Sequence, residues 1–216
     1  MPVKGKVKDF REGGVYYIYN AGIEGRDVFG DDEDFRMWEC LMQKYLMPVE
    51  EKIAPGFKGT RPYLKRRYEE MNLYGQVEIW AYCLLRNGLH ILGRQTTERG
   101  ITDLMRRAGT RYVMWYNQKY KRRGPLFEGI YKAVLLDQPS EILRMSKIIH
   151  QKPVVGSVRR FGLVETVTGT TFDEYPYSSY GCYLGKEGKT WVMTKEVLEM
   201  AGGVGAYGKL MQLRGG

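Results

Sequence analysis

Apolar and polar positions mark out the elements of this chain before any other property is considered. GGVYYIYNAG at 13–22 is dense in β-branched and aromatic residues and bounded by glycines, which predicts a strand followed by a loop from Gly22 to Gly30. DDEDFRMWECLMQKYL at 31–46 opens on acidic residues suited to a helix N-terminus. It then repeats apolar residues at Phe35, Trp38, Leu41, Met42 and Tyr45, so a helix with one buried face is expected. Pro48 closes that helix. The charged stretch 50–75, punctuated by Pro55, Gly56, Gly59 and Pro62, reads as an inserted loop leading into a short helix near 62–71.

QVEIWAYCLLRN (76–87) and LHILGRQ (89–95) are two apolar runs separated by Asn87-Gly88, a dipeptide that favours a tight hairpin turn. Between 98 and 124, Ile101, Leu104, Met105, Ala108, Tyr112, Trp115 and Tyr116 recur at helical spacing, predicting a long amphipathic helix able to bend near Gly109. GIYKAVLLD (129–137) reads as a strand and PSEILRMSKIIHQK (139–152) as a helix, with Pro139 at its start and Pro153 at its end. The order β α β β α β α suits an α+β fold with one antiparallel sheet and helices packed on it. Residues 172–185 read as an aromatic turn segment and 190–203 as a short helix. The expected organisation is one domain over 1–185, with the insertion at about 48–75, and a C-terminal helical tail over 186–216.

Composition narrows the function. A hydrophobic fraction of 43% and a charged fraction of 27% describe a chain that folds. The net charge of +9 favours polyanionic partners. Cys40, Cys83 and Cys182 form no C-x-x-C pair, so neither a zinc knuckle nor a disulfide framework is suggested, and thiols in a reducing compartment are expected. No run approaches the length that spans a bilayer, and the basic N-terminus has no apolar segment behind it, which together predict a cytoplasmic protein without a membrane partner.

The sign of the charge is segregated. Arg106, Arg107, Arg111, Lys119, Lys121, Arg122 and Arg123 fall between 105 and 123 with no Asp or Glu among them, whereas a solvated helical face usually mixes signs. These residues are candidate DNA contacts, the last cluster having the helix dipole as its alternative explanation. Lys58, Arg61, Lys65, Arg66 and Arg67 form a second basic patch in the insertion. Tyrosine is common, at 17 residues. Tyr63, Tyr68, Tyr112, Tyr116 and Tyr120 interleave with the basic runs, where they serve either as core or as platforms for unpaired bases.

The segments GGVYYIYNAGIEGRDVFGDDEDF, AYCLLRNGLHIL, ITDLMRRAGTRYVMWYNQKYKRRGPLFEGIYKA, IIHQKPVVGSV and EYPYSSYGCYLG, in this order, give the chain its likeness to a known family. From about residue 13 to 185 it resembles the REP-associated tyrosine transposases, single-tyrosine members of the HUH group related to small bacterial insertion-sequence transposases. The resemblance implies a ferredoxin-like sheet that binds single-stranded or hairpin DNA. It also implies two metal-binding histidines flanking one hydrophobic residue on a central strand, and a helical tyrosine nucleophile that forms a phosphotyrosine.

This chain departs from that pattern at both the metal pair and the nucleophile helix, keeping one histidine, His90. The strand motif aligns on Gly88, Leu89 and His90, so the first histidine is a glycine; the nucleophile helix aligns Ile148 with the tyrosine and Lys152 with its companion asparagine. The expectation is a host-retained, transposase-like DNA-binding protein without strand cleavage, with no cofactor, and with His90 left as a packed or hydrogen-bonded residue. One alternative is an active Mg²⁺- or Mn²⁺-dependent transposase with its nucleophile relocated to Tyr112, Tyr116 or Tyr120, or with His150 in a rebuilt metal site. Another is a regulator that binds RNA hairpins. Monomer and homodimer both stay open.

Overall fold

The computed structural model describes residues 10–48, 69–155, 171–186 and 188–212. Strand β1 (Val15–Ala21) leads to helix α1 (Asp32–Leu46), the hairpin β2 (Val77–Leu85) and β3 (Gly88–Gln95), helix α2 (Gly100–Lys119), strand β4 (Lys132–Leu136) and helix α3 (Pro139–Val155). The strands pair antiparallel in the order β2-β3-β1-β4. This β-α-β-β-α-β path is the ferredoxin-like arrangement. Beyond it come the short helices α4 (Tyr180–Tyr183), α5 (Lys195–Ala201) and α6 (Val204–Gln212).

Alternation along each strand sends side chains to two cores. Tyr16, Ile18, Ile79, Leu84, Leu89 and Ile91 join Phe35, Trp38, Leu41 and Met42 of α1 and Ile101, Leu104, Ala108 and Tyr112 of α2. On the opposite face Val15, Cys83, Leu92 and Leu136 join Ile142 and Ile149 of α3, Val197 of α5, and Tyr207 and Met211 of α6. A bulge between Ile79 and Ala81 puts Trp80 and Ala81 together on this second face. The first core is strongly aromatic: Trp38 meets Tyr112 edge-on at 5.4 Å between ring centres and Phe29 at 6.2 Å.

The two sheet edges differ. Backbone bonds from Leu84 N–H to Tyr177, Ser179 N–H to Tyr82 and Met193 N–H to Ile79 lay two C-terminal segments along β2 and close that edge. On the β4 side, Ile130 and Val134 stay 77% and 46% exposed.

Three element limits differ from expectation, each for a local reason. The hairpin turn is Arg86-Asn87, and Gly88 is already a strand residue, opposite Leu85 on β2 and Ala21 on β1. Helix α2 runs unbroken through Gly109 and stops at Tyr120, where Lys121 takes a left-handed φ of 49°. There Arg122 N–H bonds to the Asn117 carbonyl and Lys121 N–H to that of Gln118, a Schellman closure built on lysine with no glycine at the turn. Pro153 does not end α3, which continues to Val155; within the last turn its missing N–H forgoes a single helical bond.

Candidate nucleic-acid interface

The basic residues of α2 have unequal surroundings. Arg106 is exposed and bonds Asp103 at 3.0 Å, while Arg107 is half-buried, donating to the Met71 carbonyl at 2.7 Å and lying 3.7 Å from Asp103. Arg111 is exposed on the same helix. Asp103, one turn before the basic run, therefore supplies the opposite sign that the stretch 105–123 lacks.

Lys119 is held inside the fold. The α1 N-terminus is a capping box in which the Asp31 carboxylate accepts from Glu33 and Asp34 N–H and the Asp34 carboxylate accepts from Asp31 N–H. Asp34 is fully buried, and such a carboxylate needs a cation. The Lys119 ammonium supplies it, at 2.8 Å from Asp34, 2.7 Å from Asp31 and 2.9 Å from Glu33. Its hydrogen bond holds the Asp31 carboxyl below its ordinary value. Lys121 and Arg123 are exposed beyond the helix end, and Arg122 donates to the Pro125 carbonyl at 3.1 Å. Lys65, Arg66 and Arg67 lie outside the described residues.

Tyr112 and Tyr116 of α2 belong to the first core, while Tyr120 at its C-cap is exposed. Tyr112 donates to the Val28 carbonyl at 2.6 Å and Tyr116 to that of Asp27 at 3.2 Å; Tyr120 donates to Asp34 at 2.8 Å. Burial raises all three phenol pKa values, that of Tyr120 to about 12. Tyr112 and Tyr116 thus pack across the sheet from His90. His150 is equally committed: Nδ1 meets the Tyr207 hydroxyl and Nε2 that of Ser179, both at 2.8 Å, and burial drops its pKa to about 3. With both nitrogens engaged, this ring ties α3 to α6 and to the segment before α4.

His90 lies on the second face, in a row that crosses all four strands. Register places Cys83 of β2, His90 of β3, Tyr19 of β1 and Lys132 of β4 side by side. Tyr17, two residues before Tyr19 and on the same face, bonds through its hydroxyl to His90 Nδ1 at 2.7 Å. The Tyr17 and Tyr19 rings stack at 5.0 Å, nearly parallel to the imidazole, and the Lys132 ammonium sits 5.7 Å above the Tyr19 ring. Helix α3 packs over β2 and β3 and brings Lys152 to this row, where its charge acts on both His90 and Cys83. Burial, aided by that charge, lowers the His90 pKa to about 3, so the ring is neutral. Ile148, half-buried, precedes Lys152 by one turn on the same flank.

The three positions that depart from the transposase pattern, Gly88, Ile148 and Lys152, therefore gather with the retained His90 on one sheet face, and together they do not suit a divalent cation. Gly88 offers no donor, and an added Cβ there would lie 2.5 Å from the Asn20 carbonyl oxygen. Nδ1 of His90 is taken by Tyr17, burial pushes the Cys83 thiol up and keeps it protonated, and Lys152 adds a positive charge. Among the described residues no group of three or more His, Cys, Asp or Glu could hold a metal.

Residue reasoning missed Tyr17, Tyr19 and Lys132. The i, i+2 tyrosines of VYYIYN were a usable signal, since a strand puts both on one face.

No family model matches this chain, and no curated protein matches it. A solved structure does, described as the structure of the REP associates tyrosine transposase bound to a REP hairpin. It aligns with 88% of this chain and 92% of its own, with a TM-score of 0.50 and 10% identity. The chain has a transposase-like fold. At that identity the likeness is one of architecture, and the α+β sheet with its packed helices stands as the sequence suggested. Among the described residues no helix is long and apolar enough to cross a membrane.

Proposed function

We propose that this chain is a DNA-binding protein built on the transposase-like fold, that it engages single-stranded or hairpin DNA, and that it does not cleave it. The observation that carries the reading is the conversion of one sheet face: Gly88 packs its backbone against Asn20, and Lys152 sets a cation beside neutral His90 where the resembled family holds metal ligands and an asparagine. Support for the ligand comes from the likeness to a hairpin-bound transposase and from the net charge of +9. Ile148, at the position of the family's nucleophile, has no atom that could attack phosphorus.

Incubation of the protein with labelled hairpin DNA carrying single-stranded flanks tests both halves. The expected result is a salt-sensitive complex and no covalent adduct on a denaturing gel with Mg²⁺ or Mn²⁺. An adduct would overturn the loss of cleavage, and Tyr17, the tyrosine bonded to His90, would be the first residue to mutate. Tighter binding of an RNA hairpin of the same sequence at matched salt would shift the assignment to an RNA-binding regulator.

A further inference from the structure

The row Cys83, His90, Tyr19, Lys132 has properties that its place in the sheet does not require. Tyr19 is half-buried and belongs to neither core, so its ring is not there to fill volume. Lys152 is half-buried, and among the described residues neither it nor Lys132 forms an ion pair with a carboxylate. This contrasts with Lys119, which three carboxylates surround. A half-buried ammonium without a counter-charge is costly unless a ligand supplies one. His90 is 8% exposed and, among the described residues, hydrogen-bonded only through Nδ1, which leaves Nε2 for a ligand. Arg144, exposed two turns before Lys152 on the same flank of α3, extends the positive line. Aromatic faces beside aligned cations fit a polyanion with exposed bases.

We infer that this face is a metal-independent binding site for single-stranded DNA, in which Lys152 and Lys132 hold backbone phosphate and Tyr19 stacks an adjoining base. Lys152 supplies at this row the positive charge that a divalent cation would otherwise bring. The site rests on the DNA-binding reading above and names where on the molecule the strand lies.

The test is fluorescence anisotropy with a labelled single-stranded oligonucleotide and, separately, a blunt duplex hairpin, each with EDTA and with Mg²⁺. Wild-type protein should bind the single strand equally well in both buffers. Lys152→Met should weaken it about tenfold at low salt and flatten the log–log salt slope by about 0.7, one contact to a single strand. Lys152→Arg should retain binding. Tyr19→Leu should cost about 5- to 150-fold, the range for one lost base stack. Lys132→Met, at an exposed position outside both cores, repeats the slope test without risk to the fold. Unchanged affinity and slope in Lys152→Met, Lys132→Met and Tyr19→Leu, with wild type binding, would overturn this site and leave the DNA-binding reading standing. No binding by wild type would overturn both. Binding lost in EDTA would overturn its metal independence, and tighter binding of RNA would overturn the choice of DNA.

Discussion

The two faces of the sheet use their ionisable groups in opposite ways. Under α1 and α2, aromatic rings fill the space and several charges are cross-linked, Lys119 to Asp31, Glu33 and Asp34, and Arg106 and Arg107 to Asp103, while Arg111, Lys121 and Arg123 stay exposed at the surface. Under α3, His150 ties helices together through two hydroxyls, while beside the neutral Tyr17–His90 pair and Tyr19 the ammonium groups of Lys132 and Lys152 have no carboxylate partner among the described residues. A basic total locates nothing by itself, because charge engaged within the fold is screened from a ligand. What sets the α3 face apart is a half-buried cation, Lys152, with no acid neighbour among the described residues.

The largest expected effect tests that contrast from its closed side. Lys119→Met removes the cation from buried Asp34 and should lower stability by about 3–5 kcal/mol in urea unfolding. The salt slope of DNA binding should stay as in wild type. A slope reduced by a full contact without loss of stability would erase the distinction between the faces.

Gly88→His should come next, at about 1–3 kcal/mol, because the new side chain must displace β1 at the Asn20 carbonyl. It should not create Mn²⁺ binding by calorimetry. Recovery of a metal site at unchanged stability would show that β1 yields at this point.

Acid should reveal the two buried histidines. Their folded pKa values of about 3 lie below the ordinary histidine value of 6.5, so the unfolded chain binds more protons between those limits. Stability therefore falls as pH drops from 6.5 towards 3, each ring contributing up to about 1.4 kcal/mol per pH unit. His150→Gln should remove about half of that dependence, measured as the difference in unfolding free energy between pH 7 and pH 5. An unchanged dependence would mean that another group carries it.

The smallest effect concerns α2. Arg106, Arg107 and Arg111 changed together to Ala should lower stability by about 1–2 kcal/mol, since the Arg106 pair is at the surface and half-buried Arg107 loses its bond to the Met71 carbonyl. The same change should flatten the salt slope by less than the roughly 2 to 3 expected of three free contacts, because Asp103 already engages two of them. A full three-contact loss would assign this helix to the interface on equal terms with the α3 face.

Much of the architecture was readable because each element repeats a local rule. Phe35, Trp38, Leu41, Met42 and Tyr45 sit where helical spacing puts them, and VYYIYN alternates as a half-buried strand does. The hairpin turn was displaced by one residue because Gly88 looks like turn glycine, whereas the constraint on it is a close approach to the neighbouring strand. The end of α2 was displaced because Lys121 takes a conformation usually reserved for glycine.

The candidate site was readable only in part. Gly88, Ile148 and Lys152 could be picked out in sequence by their departures from a family pattern and His90 by its agreement with it, but their meeting on one face depends on α3 packing across β2 and β3. Tyr19 and Lys132 are more than a hundred residues apart and become neighbours through strand register alone. The chain by itself determined the succession of strands and helices, the excess of positive charge and the absence of a ligand at position 88, because these depend on near neighbours or on side-chain identity. Tertiary structure decided which cations are engaged and which are exposed to a partner, because an ammonium's surroundings are set by carboxylates that arrive from distant parts of the chain.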